Sequence, residues 1–170
     1  VSDHPHFDAT QLPHPLVKPW DKGLAVAELQ GLLRAHGYPL RVDGEYGWLT
    51  EVAVNQFQSQ HKIRVDGVIR VDTWVALRST VKAGSRPVKQ GDSGYDVYEL
   101  QGLLQVNGYD VPRNGFFCDQ THRMVIQFQK HCHLLADGVV DAISWAVLEG
   151  SKKLPQRQKT RNWFLRTTGS

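Results

Sequence analysis

Apolar residues recur along this chain at helical spacing, in two similar blocks. Val26, Leu29 and Leu33 fall on one face of a helix, as do Val97, Leu100 and Leu104, and Gly37 and Gly108 end these runs. A turn follows each, at Asp43-Gly44 and at Asn114-Gly115. Thr50 and Thr121 then stand where the N-cap of a second helix is expected, and Val54 with Phe57, or Val125 with Phe128, supply its buried face. A further turn at Asp66-Gly67 and Asp137-Gly138 leads to a short third helix with Trp74 and Leu77, or Trp145 and Leu148, at i and i+3. The pattern predicts an all-α chain with three helices per block and no strand beyond short pairs flanking turns.

The blocks are one tandem repeat. Displacing the chain by 71 residues aligns 17–77 with 88–148 without a gap, and 24 of the 61 aligned positions are identical. Glu28-Leu29-Gln30-Gly31-Leu32-Leu33 returns as Glu99-Leu100-Gln101-Gly102-Leu103-Leu104, and Gln56-Phe57-Gln58 returns as Gln127-Phe128-Gln129. The organisation read from this is an extended leader (1–16), a first unit (17–78), a linker (79–87), a second unit (88–149) and a basic tail (150–170). A linker this short predicts that the units lie close together.

Composition excludes several classes. With 41% hydrophobic residues, 5 Trp, 5 Tyr and 6 Phe, the chain has the means to build cores and is not of the disordered class. No apolar run approaches the ~18 residues of a membrane span. The first residue is Val, which implies a processed or excerpted chain, and the first twenty residues hold no apolar run of the signal-peptide kind. Cys118 and Cys132 flank the second helix of unit two. Fourteen residues at ~1.5 Å rise hold them ~20 Å apart, so free thiols are expected.

The formal charge is +3, but it is unevenly spread: net 0 over 17–77, −3 over 88–148, −2 in the leader, +3 over 78–87 and +5 over 149–170. Neither unit offers the basic face that duplex binding needs, so a nucleic-acid partner is not expected. The tail suits a polyanion or an acidic protein surface.

Both units resemble the peptidoglycan-binding-like domain, a small three-helix module of bacterial cell-wall hydrolases. Unit one carries the pattern through Gly23, Val26, Leu29, Gln30, Leu33, Gly37-Tyr38, Asp43-Gly44, Tyr46-Gly47, Thr50, Phe57-Gln58, Asp66-Gly67 and Thr73-Trp74. Unit two carries it through Gly94, Val97, Leu100, Gln101, Leu104, Gly108-Tyr109, Gly115, Phe117, Thr121, Phe128-Gln129, Asp137-Gly138 and Trp145. Unit two departs further, with Asn114 for Asp, Cys118 for Gly and Ser144 for Thr. Both units lack the glycine of the last motif, replaced by Arg70 and Asp141.

The resemblance implies non-catalytic binding of peptidoglycan in the cell envelope, periplasmic or extracellular, with no cofactor. Ligand-binding candidates are Tyr38, Tyr46, Trp48, Gln58 and Trp74 in unit one and Tyr109, Phe117, Gln129 and Trp145 in unit two. Tyr38, Tyr46 and Trp48, in or beside turns, are expected at the surface. Gln30 and Gln101 are read as satisfying backbone groups, and Asp66 and Asp137 as turn residues. No nucleophile set or zinc signature is complete. The two His of His131-Cys132-His133 point to different faces of a helix, and His4, His6 and His14 fall in the leader. Two other functions stay open. One is a structural adaptor that docks a protein partner through the leader and the tail with Trp163-Phe164. The other is the targeting region of a larger cell-wall hydrolase.

Overall fold

The structure is a computed structural model that describes residues 6–151, the side chain of Ser151 excepted. The tail with Trp163-Phe164 therefore lies outside the described residues, as does His4. A 3-10 turn, Ala9–Gln11, precedes six helices: α1 Leu24–Ala35, α2 Trp48–Gln60 and α3 Val71–Thr80 in unit one, then α4 Tyr95–Val106, α5 Asp119–His131 and α6 Ala142–Ser151 in unit two. Among the described residues the only extended pairing is four isolated antiparallel bridges, two in each unit at matching positions.

Each unit has its own core. Val26, Leu29, Leu33, Val54, Phe57, Trp74 and Leu77 close the first, and Val97, Leu100, Leu104, Val125, Phe128, Trp145 and Leu148 the second. Gly37 ends α1 at φ +92°, where its N–H donates to Arg34 O and the N–H of Tyr38 donates to Leu33 O. This is the left-handed helix terminus that glycine adopts without strain. Both cysteines are free.

Two expectations need correction. Thr50 and Thr121 do not cap the second helices, which begin earlier behind Gly47 and Cys118. Both threonines are buried, and their hydroxyls accept from Gln30 and Gln101 of the preceding helix. The leader, expected to be extended, folds into the 3-10 turn Ala9–Gln11 and is docked on α3. Ala9 and Leu12 are buried, the His14 ring bonds Ala9 O, and the Pro13 and Pro15 carbonyls accept from Arg78 and from the Trp74 indole. Backbone carbonyls make the polar part of this attachment, and two isolated apolar side chains the rest, so no periodic pattern announces it.

The units meet as the short linker requires. Glu28 on α1 accepts from the buried Arg78 guanidinium and, across the junction, from Ser93 Oγ. Arg86 pairs with the fully buried Asp96 at 2.7 Å and also donates to Ser93 O. The leader reaches unit two as well, where Phe7 packs on Tyr95 and Tyr98 with ring centroids 5.9 and 5.5 Å away.

Candidate functional site

The loop between α1 and α2 is held from beneath by one side chain. Gln30 Oε1 accepts from the N–H groups of Asp43 (3.0 Å) and Gly44 (2.8 Å), and its Nε2 donates to Asp43 Oδ1 and Glu45 O. A buried amide with both ends bonded fixes the loop without spending exposed side chains. Asp43 Oδ1 also accepts from Glu45 N–H. That bond first, then the Gln30 amide, holds the Asp43 carboxyl below its ordinary range. Gln58 repeats the device one turn on, accepting from Asp66 and Gly67 N–H and donating to Val68 O. Asp66 accepts from Val68 N–H, as read from sequence. Gln101 and Gln129 do the same work in unit two.

Above the Gln30 clamp lies a shallow groove of about 140 Å³ between Gln30, Leu40, Arg41, Asp43, Glu45 and the first turn of α2. Trp48 and Leu49 stand on its rim, 67% and 50% exposed. In unit two the same positions carry Asp119 and Gln120, and Cys118 replaces Gly47. Phe7 of the leader lies against the neighbouring Gly115, so close that a Cβ there would meet its ring.

The nine candidate residues separate into three groups. Trp48 alone is largely open. Tyr38 and Tyr109 are half-buried at the far end of their units. The Tyr38 hydroxyl donates to Gln60 Oε1, at the opposite end of α2 from Trp48, and Tyr109 sits edge-on to Phe128. The other six are interior. Tyr46, expected at the surface, is 2% exposed, and its hydroxyl donates to Gly67 O at 2.6 Å. Burial pushes that phenol well above its ordinary pKa. Phe117, its counterpart, is fully buried. Both rings turn inward because the turn places them beneath the next loop, which for Tyr46 also offers an acceptor. Gln58 and Gln129 are the clamps just described. Trp74 and Trp145 are core, and only Trp74 has a partner for its indole N–H, Pro15 O at 2.7 Å.

Sequence reasoning missed Trp20, which is 79% exposed. Its N–H donates to Tyr46 O, two residues before Trp48. A signal existed in the repeat, where Trp20 aligns with Gly91. A second concavity, about 530 Å³, opens at the junction beside Phe7, Tyr95, Tyr98, Glu99 and Arg113. There the Arg113 guanidinium stacks on Tyr98 at 4.3 Å and pairs with Glu99 at 3.3 Å. Among the described residues, no three His, Cys, Asp or Glu side chains converge as a metal site would require, and no helix is long and apolar enough to cross a membrane.

Comparison with solved structures finds local likeness. A peptidoglycan-binding protein from Clostridioides difficile, in complex with glutamine hydroxamate, is 33% identical over 37% of this chain and 40% of that one, with a TM-score of 0.37. The N-terminal domain of SleB is 33% identical over 38% and 90%, with a TM-score of 0.37. A fused Zn-dependent amidase/peptidase/peptidoglycan-binding protein from Clostridium acetobutylicum is 31% identical over 59% and 47%, with a TM-score of 0.39. This chain thus spans less than half the length of the two clostridial proteins. The model of the putative peptidoglycan binding domain matches twice, at 22–77 and 93–148, and so covers most of the chain. With that model matched once in each three-helix unit, the chain belongs to the putative peptidoglycan binding domain family and carries two copies of the domain in tandem.

Proposed function

We propose that this chain holds peptidoglycan without cleaving it, in the cell envelope, and that unit one makes the main contact. The observation that carries this reading is the groove above the Gln30 clamp with Trp48 open on its rim, in a chain built from two copies of this family's domain. An exposed indole offers a flat apolar face to the C–H side of a sugar ring. The neighbouring Asp43, Glu45 and Arg41 offer polar groups to its hydroxyls and amides. Unit two keeps the scaffold but has Asp119 at this place, so it contributes less. Two linked sites, even unequal ones, gain through effective concentration on a polymer. The boundaries that follow are 17–78 and 88–149 for the two modules, with residues 9–15 of the leader packed on the first and Phe7 on the second.

Pull-down on purified sacculi tests the reading. The parent protein is expected to sediment with sacculi, and Trp48→Ala to weaken binding tenfold or more. An aromatic contact of this kind is worth on the order of 1–3 kcal/mol by analogy with base stacking. Tyr46→Ala is expected to lower stability instead, because its ring and hydroxyl are interior. A parent protein that stays in the supernatant, or that clears cell-wall material in a zymogram, would contradict the reading.

A further inference from the structure

Lys18, Pro19, Trp20 and Asp21 form a tight turn. The Asp21 N–H donates to Lys18 O at 3.1 Å, and the Asp21 carboxylate accepts from Lys18 N–H at 2.9 Å. Proline suits the second position of such a turn. The third position here has φ +76°, in the left-handed region, where a Cβ is strained and glycine is not. Unit two builds the same turn from Lys89, Gln90, Gly91 and Asp92, with the matching bonds at 3.0 and 2.8 Å, and its third residue is Gly91 at φ +94°. The other described non-glycine residues at positive φ are Lys62 and His133. They occupy equivalent positions just past α2 and α5, so their strain is common to both units and belongs to the scaffold. The strain at Trp20 belongs to unit one alone, and with the side chain 79% exposed, core packing does not account for it.

Strain kept at an exposed position points to a use outside the fold. The turn is stitched to the groove loop from both sides, by Trp20 N–H donating to Tyr46 O and Tyr46 N–H donating to Asp21 O. The Lys22–Glu45 ion pair lies on the same rung. The Trp20 backbone is therefore anchored to Tyr46, two residues before Trp48 in the loop that lines the groove, and both indoles are exposed. Unit two has neither indole, with Gly91 and Asp119 in their places. We propose that Trp20 and Trp48 form a two-indole platform, confined to unit one, that stacks neighbouring sugar rings of a β-1,4-linked N-acetylhexosamine strand. This rests on the peptidoglycan-holding reading and goes beyond it by assigning the contact to the glycan rather than the peptide and by adding Trp20.

The test compares Trp20→Gly, Trp20→Ala, Trp20→Tyr and Trp48→Ala in the full chain. Binding is measured to purified sacculi and, by titration calorimetry, to N-acetylglucosamine tetrasaccharide. Both Trp20→Gly and Trp20→Ala remove the indole, but only Gly removes the strain. Both are expected to lose about tenfold in affinity for either probe. The Gly variant is expected to melt roughly 2–5 °C above the Ala variant. Trp20→Tyr keeps a stacking face and is expected to retain most of the affinity. If Trp20→Gly binds like the parent while Trp48→Ala does not, the platform is overturned and the broader reading stands. If the Gly variant melts no higher than the Ala variant, the strain from which the platform is argued is absent and the proposal fails. A parent that sediments with sacculi but ignores the tetrasaccharide overturns the glycan assignment, and a parent that binds neither overturns both readings.

Discussion

The two units share a skeleton and differ in what they present. Glu28 and Glu99 show this most sharply, since they are the same residue at the same helical position. Glu28 is enclosed at the junction, where Arg78 and Ser93 donate to it, and the Arg78 side chain is only 2% exposed. Glu99 meets Arg113 at the rim of an open concavity, with both side chains about a quarter exposed. At the groove, unit one has Trp20, Trp48 and Leu49 where unit two has Gly91, Asp119 and Gln120. Beside the junction, unit two has Tyr95, Tyr98 and Arg113 where unit one has Leu24, Ala27 and Val42. The repeated architecture holds the loops in the same shape while the two faces differ, one with Trp20 and Trp48 open to solvent and one packed by Phe7 of the leader.

The largest expected effect separates the two glutamates. Glu28→Gln leaves a buried guanidinium without its carboxylate and is expected to cost about 3 kcal/mol in urea unfolding. Glu99→Gln is expected to cost less than about 1 kcal/mol, because its pair is partly solvated. Equal losses would show that enclosure at the junction adds nothing to the Glu28 pair. Next in size, Gln30→Leu and Gln101→Leu each strand two loop N–H groups and a carbonyl, and each is expected to cost about 2 kcal/mol. Here the units should behave alike, and a clear inequality would mean that one clamp is dispensable.

The smallest effect is a pH dependence found in one unit. His36 Nε2 donates to Leu77 O and the ring lies tilted against Phe57, and burial is the main cause holding its pKa below the ordinary 6.5. The folded state therefore binds this proton less readily than the unfolded chain does. The stability it contributes is complete above pH 6.5 and is lost as the pH falls from there toward the lower folded value. Unit two has Asn107 at this position, bonded to Leu103 O, with nothing to titrate. His36→Asn should flatten the acid side of the stability profile, as thermal melts across that range would show. An unchanged slope would assign the acid sensitivity to other groups.

Most of the skeleton was legible in the sequence, for physical reasons. Helical spacing of Val26, Leu29 and Leu33 reports a buried face directly, and Gly37, Gly44 and Gly67 mark positive φ. Gln30 and Gln101 stand 14 residues before Gly44 and Gly115, but each follows a core leucine in its repeat, and that position allowed the amide to be read as satisfying backbone groups. The site was less legible. Tyr46 lies next to a turn, which argues for exposure, yet its hydroxyl finds an acceptor at Gly67, 21 residues away, and no local pattern contains that. The leader's polar contacts run through carbonyls of prolines, and every residue has a carbonyl, so composition is silent about them. Trp20 was visible as a mismatch against Gly91, but its meaning needed the backbone angle.

The docked leader also bears on the order in which the molecule can be assembled. The bond from Trp74 to Pro15 spans 59 residues, and that from Arg78 to Pro13 spans 65. The Gln clamps, by contrast, close over 8 to 15 residues. During synthesis from the N-terminus the leader emerges before the helices it docks on, and its two acceptors have nothing to meet until α3 has followed it out. At about 5–20 residues per second, that is a wait of several seconds. Unit one can collapse around its own helices in that interval, but it is sealed only after nearly the whole of its sequence has been made, and the Glu28–Ser93 bond waits on the first residues of unit two.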